Sequence, residues 1–339
     1  MKLFAFFCLV SLGLLSCNKS GGSTPALLTP TNLVVNVTVM PDNSGNVSFA
    51  ATATNASTFE FDYGNGVFEN VPSGSVQYKY SSSGNYSVKV TAKNGAGTSI
   101  SKTIDITVSV SLGLVWSDEF DIAGAPNASK WGYDIGGSGW GNNESQYYTN
   151  RAENSYVSNG TLKIVAKKEA YQGSQYTSAR LLSKGKYSFK YGKVEVRAKL
   201  PAGVGTWPAI WMMGDNISTV NWPACGEIDI MEHRGSELNK ITSAFHYPGF
   251  YGGNAKVNTT TISNATTEFH VYKLEWNANV MNVSVDDKLF HTLPNNATIP
   301  YNQQFFLLLN VAMGGNFGGS IDPSFSTATF EIDYVRVYQ

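Results

Sequence analysis

The chain has 339 residues, enough for two domains and a sizeable core. It is 42% hydrophobic and only 14% charged, with 33 Gly, 18 Tyr and 18 Phe, a profile of an all-β secreted protein rather than a helical one. Lys+Arg and Asp+Glu stand at 24 and 25, a formal charge of −1, which gives no electrostatic case for nucleic acid, whose binding calls for a basic stripe.

Residues 1–17 are expected to be a targeting segment. Lys2 provides the positive start, and residues 3–15 form an apolar run too short to span a membrane. The run ends in Leu14-Leu15-Ser16-Cys17, which resembles a bacterial lipoprotein signal cleaved before a cysteine that then carries lipid. That resemblance implies an outer-membrane lipoprotein held through Cys17, with about 0.8 kcal/mol per buried CH₂. The alternative is an ordinary signal peptide that happens to contain a cysteine. Residues 18–30 read as a flexible tether. Cys8 lies in the signal and Cys17 would be acylated, so Cys225 stands alone and no intramolecular disulfide is expected. Two residues before Glu227, Cys225 falls by alternation on the face that Glu227 occupies, as a small apolar wall residue.

Residues 31–110 show alternating runs at 33–39, 46–53, 59–63, 75–80, 86–92 and 99–108, separated by Gly, Asn and Pro. Strands at this spacing predict a small β-sandwich. Phe59-Glu60-Phe61-Asp62-Tyr63-Gly64-Asn65-Gly66, Tyr78-Lys79-Tyr80 and Gly84-Asn85-Tyr86-Ser87-Val88-Lys89-Val90 resemble an immunoglobulin-like domain of the polycystic-kidney-disease (PKD) type. A spacer role is favoured over glycan binding, because no cluster of exposed aromatics is expected there.

Residues 111–339 contain no convincing long helix. Runs at 161–167, 186–189, 193–200, 270–276, 281–285, 305–311 and 329–338 predict two stacked antiparallel sheets, a jelly roll. Within this domain Gly226-Glu227-Ile228-Asp229-Ile230-Met231-Glu232 places three carboxylates in six residues that otherwise read as a buried strand. Alternation puts Glu227 and Asp229 on one face and Ile228 and Ile230 on the other. A β-bulge at Ile230-Met231 would return Glu232 to the acidic face, a device common beside active sites. Two long carboxylates flanking a shorter one suit retaining glycoside hydrolysis, which sets a nucleophile and a protonated acid roughly 5–5.5 Å apart. Glu227 is assigned as nucleophile, Glu232 as general acid with its pKa raised by neighbouring charge, and Asp229 as the group between them. A solvated acidic stripe or a metal site is the alternative. Interleaved Ile, Ile and Met argue against the stripe, and no His at ligand spacing argues for the metal.

Glu-Ile-Asp-Ile-Met-Glu resembles the signature of glycoside hydrolase family 16 in its bulged, laminarinase-like form. Further matches occur in family order at Leu114-Val115-Trp116-Ser117-Asp118-Glu119-Phe120, Gly139-Trp140-Gly141-Asn142-Asn143-Glu144 and Tyr176-Thr177-Ser178-Ala179-Arg180. They continue at Gly205-Thr206-Trp207-Pro208-Ala209-Ile210-Trp211-Met212 and Ile332-Asp333-Tyr334-Val335-Arg336-Val337-Tyr338. The resemblance implies a concanavalin-like jelly roll over 111–339 whose concave face is an open cleft, which favours endo-cleavage of a polymer. The bulge argues against the lichenase and xyloglucan branches of the family.

Trp207 and Trp211 lie four apart, on one face if extended, and indoles stack on sugar rings. Trp140 and Asn142 or Asn143 sit in a Gly-rich loop. The resemblance places an Asn of this loop and Arg180 at the sugar-binding rim. His246 is the histidine expected near the cleavage point, with a structural role as the alternative; Gln303 and Asn310 are expected at the far end of the groove. Glu119 and Asp333, with a backbone carbonyl near Gly160, are where the resemblance implies a structural calcium. No cofactor is expected for catalysis. The leading reading is a monomeric, lipid-anchored endo-β-1,3-glucanase acting on laminarin-like or mixed-linkage β-1,3/1,4-glucans. A non-catalytic glycan-binding protein on the same sandwich, an enzyme acting on agar-type galactan, and a transglycosylase remain as alternatives.

Overall fold

The computed structural model describes residues 28–339. The expected signal, Cys17 and most of the tether lie outside the described residues. The described chain forms two compact units divided near residue 108.

The first unit contains β1 (Thr31–Val39), β2 (Asn46–Thr54), β3 (Thr58–Asp62), β4 (Phe68–Val71), β5 (Ser75–Lys79), β6 (Gly84–Lys93) and β7 (Ser99–Val108). They build two antiparallel sheets, ordered β1-β2-β5 and β4-β3-β6-β7. Period-2 alternation turns Val47 and Phe49, Phe61, Val88 and Val90 inward, where the Phe49 and Phe61 rings meet edge-on at 5.8 Å. Among the described residues, Phe68 on β4 is the unit's one exposed aromatic side chain. A single ring makes no sugar platform, in line with a spacer.

The second unit begins with β8 (Leu114–Asp118), β9 (Gly132–Tyr133), β10 (Gln146–Tyr148), β11 (Ser155–Ser158), β12 (Thr161–Tyr171), β13 (Ser174–Ser178), β14 (Arg180–Leu182) and β15 (Gly192–Lys199). It continues with β16 (Thr206–Gly214), β17 (Glu227–His233), β18 (Lys240–His246), β19 (Lys256–Thr261), β20 (His270–Trp276), β21 (Val280–Val285), β22 (Lys288–Pro294), β23 (Phe305–Met313) and β24 (Thr327–Tyr338). One sheet runs β19-β18-β17-β16-β23-β14-β9; the other runs β10-β13-β12-β24-β15-β20-β21-β22, with β11 on β12 and β8 on β24. This is the expected all-β sandwich, and the one α-helix among the described residues, α1, spans only Gly315–Gly318. The run expected at 186–189 is no strand. Gly185 takes φ +69°, and the Lys186 and Tyr187 amides both donate to the Ser183 carbonyl, curling the chain so that only Phe189 bridges to Phe305.

The strand β23 shows how this sheet positions a site. All nine of its residues are buried, yet its faces differ. Phe305, Leu307, Leu309, Val311 and Met313 enter the core between the sheets, while Asn310 and Ala312 line a cleft on the opposite face. Each such apolar side chain stabilises the fold by about 1.5–3 kcal/mol, which holds the cleft floor rigid.

Candidate active site

The acidic strand β17 lies between β16 and β18. Against β16, Glu227 pairs with Met213 and Asp229 with Trp211, but the next residue of β16, Ile210, pairs with Met231. Against β18, Asp229 pairs with Ala244 and Glu232 with Thr242. Both neighbours therefore show one extra residue in β17, the bulge expected at Ile230-Met231. Ile228, Ile230 and Met231 all enter the core, and Glu227, Asp229 and Glu232 all face the cleft. Gly226 just before the strand has φ +80°, and a Cβ there would lie 2.9 Å from the Phe305 ring. Only glycine suits that position. The left-handed residue also breaks the alternation that placed Cys225 in the cleft. Cys225 is buried, with Sγ 3.5 Å from Met213 Sδ, and is absent from the cleft lining.

Asp229 and Glu232 are buried and Glu227 is partly buried. Asp229 is 4% exposed, and burial pushes its carboxyl up to about 8. Burial first, then the charge of Asp229, push up Glu227 and Glu232 as well. The sequence pointed to neighbouring charge as the cause for Glu232; burial is the larger one. Three carboxylates packed like this cannot all ionise, so they titrate together and hold protons near neutral pH. Among the groups that oppose the rise, two lie directly against the acids. Trp207 donates its Nε1–H to Glu232 Oε1 at 2.9 Å, and His246 lies against the other end of the trio. Its Nε2 is 3.0 Å from Asp229 Oδ2 and 3.6 Å from Glu227 Oε1, while its Nδ1 accepts the Gly252 amide at 3.1 Å.

Glu227, Asp229 and His246 also form a cluster with metal-ligand spacing. The Gly252 bond argues against that use. An imidazole whose Nδ1 accepts a hydrogen bond carries its neutral-form proton on Nε2, which removes the lone pair that a metal would need.

The cleft encloses about 600 Å³. Trp207 and Trp211 both line it, as the extended conformation of β16 requires. Trp211 donates Nε1–H to Asn310 Oδ1 at 2.8 Å, and Asn310 Nδ2 donates to the Tyr148 hydroxyl at 2.9 Å. The Arg180 guanidinium lies over both Trp140, at 4.9 Å, and Trp211, at 4.6 Å, and pairs with Asp134 at 3.0 Å. Of the two candidate asparagines, Asn142 lines the cleft, whereas Asn143 donates to Asn316 at 2.9 Å and braces the loop. Gln303 is a second correction. It lies outside the cleft lining, where its Nε2 donates to the Cys225 carbonyl at 2.8 Å and ties down the approach to β17.

Glu144, Phe317 and Trp222 are among the lining groups that the sequence reading did not single out. Glu144 is buried and accepts from Gln146 at 2.6 Å and Tyr148 at 3.1 Å. Its place beside Asn142 and Asn143 in a Gly-rich loop was the available signal. Phe317 meets Trp207 at 5.3 Å and Arg234 at 4.2 Å. Trp222, on the nucleophile's side, meets His246 at 5.8 Å and Tyr251 at 5.4 Å. Trp222 comes from an irregular loop and Phe317 from the four-residue α1, where periodicity carries no information.

The expected calcium positions split. Glu119 is held by Arg336 through two contacts of 3.1 and 2.8 Å, and Asp333 by Arg197, so neither carboxylate is free for a shared cation. The backbones do converge. Leu162 pairs with Ile332, and Asp118 with Val335, which carries Gly160 and Glu119 to β24 beside Asp333.

A family model described as glycosyl hydrolases family 16 matches residues 142–336, and a PKD domain model matches residues 32–108. A β-glucanase from Rhodothermus marinus is 45% identical over 242 residues, covering 67% of this chain and 85% of that protein. The X-ray structure of the laminarinase from Rhodothermus marinus is similar with a TM-score of 0.65 and 44% identity, over 68% of this chain and 98% of that one. A structure of SCLam, a non-specific endo-β-1,3(4)-glucanase with 1,3-β-D-cellobiosyl-glucose at its active site, has a TM-score of 0.65 and 41% identity, over 67% of this chain and 95% of that one. More than half of the chain answers to the one family model, and the protein belongs to glycosyl hydrolases family 16, with a PKD domain ahead of its hydrolase domain.

Proposed function

We propose that this protein is an endo-acting, retaining β-glucanase that hydrolyses β-1,3-glucosidic bonds in laminarin-like glucans and in mixed-linkage β-1,3/1,4-glucans. The observation that carries the reading is the bulge in β17, which brings Glu227, Asp229 and Glu232 together on the floor of a cleft walled by aromatic rings. The carboxylate of Glu227 attacks the anomeric carbon while Glu232 gives its proton to the departing glycosidic oxygen. In the second half Glu232 takes a proton from water, and that water releases the sugar from Glu227. A burial-raised carboxyl is what Glu232 needs to carry a proton near neutral pH. Glu227 must be the ionised member, and the charge of Arg180 favours that form.

The names of the relatives, β-glucanase, laminarinase and endo-β-1,3(4)-glucanase, support the substrate class. The lining agrees. Among the described residues, Arg180 is the only Lys or Arg on the cleft, and it is already taken up by Asp134 and two indoles. A neutral glucan suits such a groove better than a sulfated galactan. Product analysis on laminarin, mixed-linkage glucan and agarose side by side tests the reading. Short β-1,3-linked oligosaccharides from laminarin are expected. Products from agarose alone would overturn the substrate, and binding without products would overturn the enzyme.

The lipid anchor and the calcium belong to the same proposal. The native protein is expected to partition into the detergent phase, and a Cys17→Ser variant to leave it. The calcium would be held by main-chain oxygens at Glu119, Gly160 and Asp333, outside the chemistry, since arginines hold both carboxylates. A melting temperature unmoved by chelator would remove it.

A further inference from the structure

Among the described residues, Glu144 is the one carboxylate on the cleft lining that the hydrolytic roles leave unused. It is 9% exposed, and burying a carboxylate is costly unless its oxygens are hydrogen-bonded. Both oxygens are engaged. Oε1 accepts the Asn142 Nδ2 at 3.3 Å, while Oε2 accepts the Gln146 Nε2 at 2.6 Å and the Tyr148 hydroxyl at 3.1 Å. The Tyr148 bond leads onward. Its hydroxyl accepts the Asn310 Nδ2 at 2.9 Å, and Asn310 Oδ1 accepts the Trp211 Nε1–H at 2.8 Å. This chain can run in one direction only, because an indole N–H only donates and a carboxylate only accepts. Asn310 must therefore turn its oxygen to Trp211 and its amino group to Tyr148, and Tyr148 must pass its own proton to Glu144. The chain links β10, in one sheet, to β23 and β16 in the other.

We propose that Glu144 is a positioning residue that fixes the Trp211 indole through Tyr148 and Asn310, and with its other oxygen holds Asn142 at the rim. One buried carboxylate thus sets both the floor and the rim on this side of the cleft. Trp211 pairs with Asp229 across the β16–β17 ladder, so its ring stands beside the cleavage point. The Arg180 guanidinium covers the ring at 4.6 Å, and the bond to Asn310 stops it from turning. A sugar ring stacks on an indole only at the right tilt, and an indole already held there loses less freedom when substrate arrives. The relay ends at Trp211 and passes no proton to Glu227 or Glu232, so it acts on affinity rather than on chemistry.

That Trp211 meets sugar rests on the glucanase reading; the relay itself does not, and the two are tested apart. Indole ¹⁵N–¹H NMR reads the relay without substrate, and with seven tryptophans in the sequence a Trp211→Phe spectrum identifies the signal. Tyr148→Phe is expected to shift the Trp211 signal and to speed exchange of its proton. Glu144→Leu, which ends the chain one residue earlier, serves the same purpose should Tyr148→Phe fail to fold. Glu144→Gln is expected to shift the signal less, because its amide oxygen can still serve Tyr148 and Gln146 while its amino group faces that of Asn142 and releases it. An unmoved signal in Tyr148→Phe, or a larger shift in Glu144→Gln, would overturn the proposal. On laminarin, Tyr148→Phe is expected to raise KM roughly three- to tenfold, the worth of one neutral hydrogen bond, while kcat changes less than about twofold. In a Trp211→Phe background the same change should add nothing, since the N–H that the relay holds is gone. Factors that multiply, or a kcat that falls at unmoved KM, would overturn the proposal and leave Tyr148 a support of the fold. If the indole signal responds as stated and no glucan is turned over, the glucanase reading fails and the relay stands.

Discussion

Replacing Asp229 by Asn removes one of the three buried ionisations and leaves the shape of the side chain unchanged. Asp229 is 4% exposed, and burial raises its carboxyl to about 8, against about 3.9 for an unfolded aspartate. A carboxyl that binds its proton more tightly when folded contributes stability that is complete below the unfolded value and is lost as pH rises through the folded one. The window is therefore roughly pH 4 to 8. Every pH unit across that window is worth about 1.4 kcal/mol, so the limit is about 6 kcal/mol. The proton belongs to a coupled trio, and protonation of Glu227 or Glu232 relieves part of the cost, so about 2 kcal/mol is the working expectation. Asp229→Asn should equal the parent in stability at pH 4 and exceed it at pH 8 by that amount, about 4–8 °C in Tm for a domain of this size. Activity should fall, since the shared proton is gone, making this a site that trades stability for function. The assay is thermal unfolding of parent and variant from pH 4 to 9. A difference that is constant with pH, or largest in acid, would refute the burial argument.

Three further outcomes follow from the contacts. Trp207→Phe keeps the ring and removes the N–H that Glu232 accepts; the alkaline limb of kcat/KM should move up by about one pH unit, and a downward shift would contradict the assignment of Glu232 as the acid. Arg180→Lys gives up two stacked indoles and a well-placed fork. KM for laminarin oligosaccharides should rise roughly tenfold with kcat little changed, whereas an effect on kcat alone would move Arg180 from the rim to the chemistry. Gln303→Ala loses the bond to the Cys225 carbonyl and should cost about 1 kcal/mol of stability at unchanged KM. A raised KM would return Gln303 to the groove.

The catalytic acids were legible because strand periodicity is a property of the local backbone. Once Ile228 and Ile230 are recognised as core, Glu227 and Asp229 must face the other way, and only a bulge lets Glu232 join them. The pair Trp207 and Trp211 was legible for the same reason, as was the sandwich, whose strands repeat that alternation with turn residues between them. Alternation fails where the phase is reset. Gly226 at φ +80° took Cys225 out of the cleft, and the curl after Gly185 removed a strand.

What only the tertiary structure decided is which partner each polar group meets. Asn143 and Asn316 are 173 residues apart, Asn310 and Tyr148 162, and Gln303 and the Cys225 carbonyl 78; no local pattern encodes such meetings. The same holds for Trp222 and Phe317, which reach the cleft from a loop and from the short α1, and for the arginines that claim Glu119 and Asp333. The sequence by itself determined the fold class, the acidic strand and its chemistry, because these follow from side chains alternating along one strand. The walls of the cleft and the hydrogen bond to Glu232 were decided by contacts between distant segments, and these exist only once the sheets have packed.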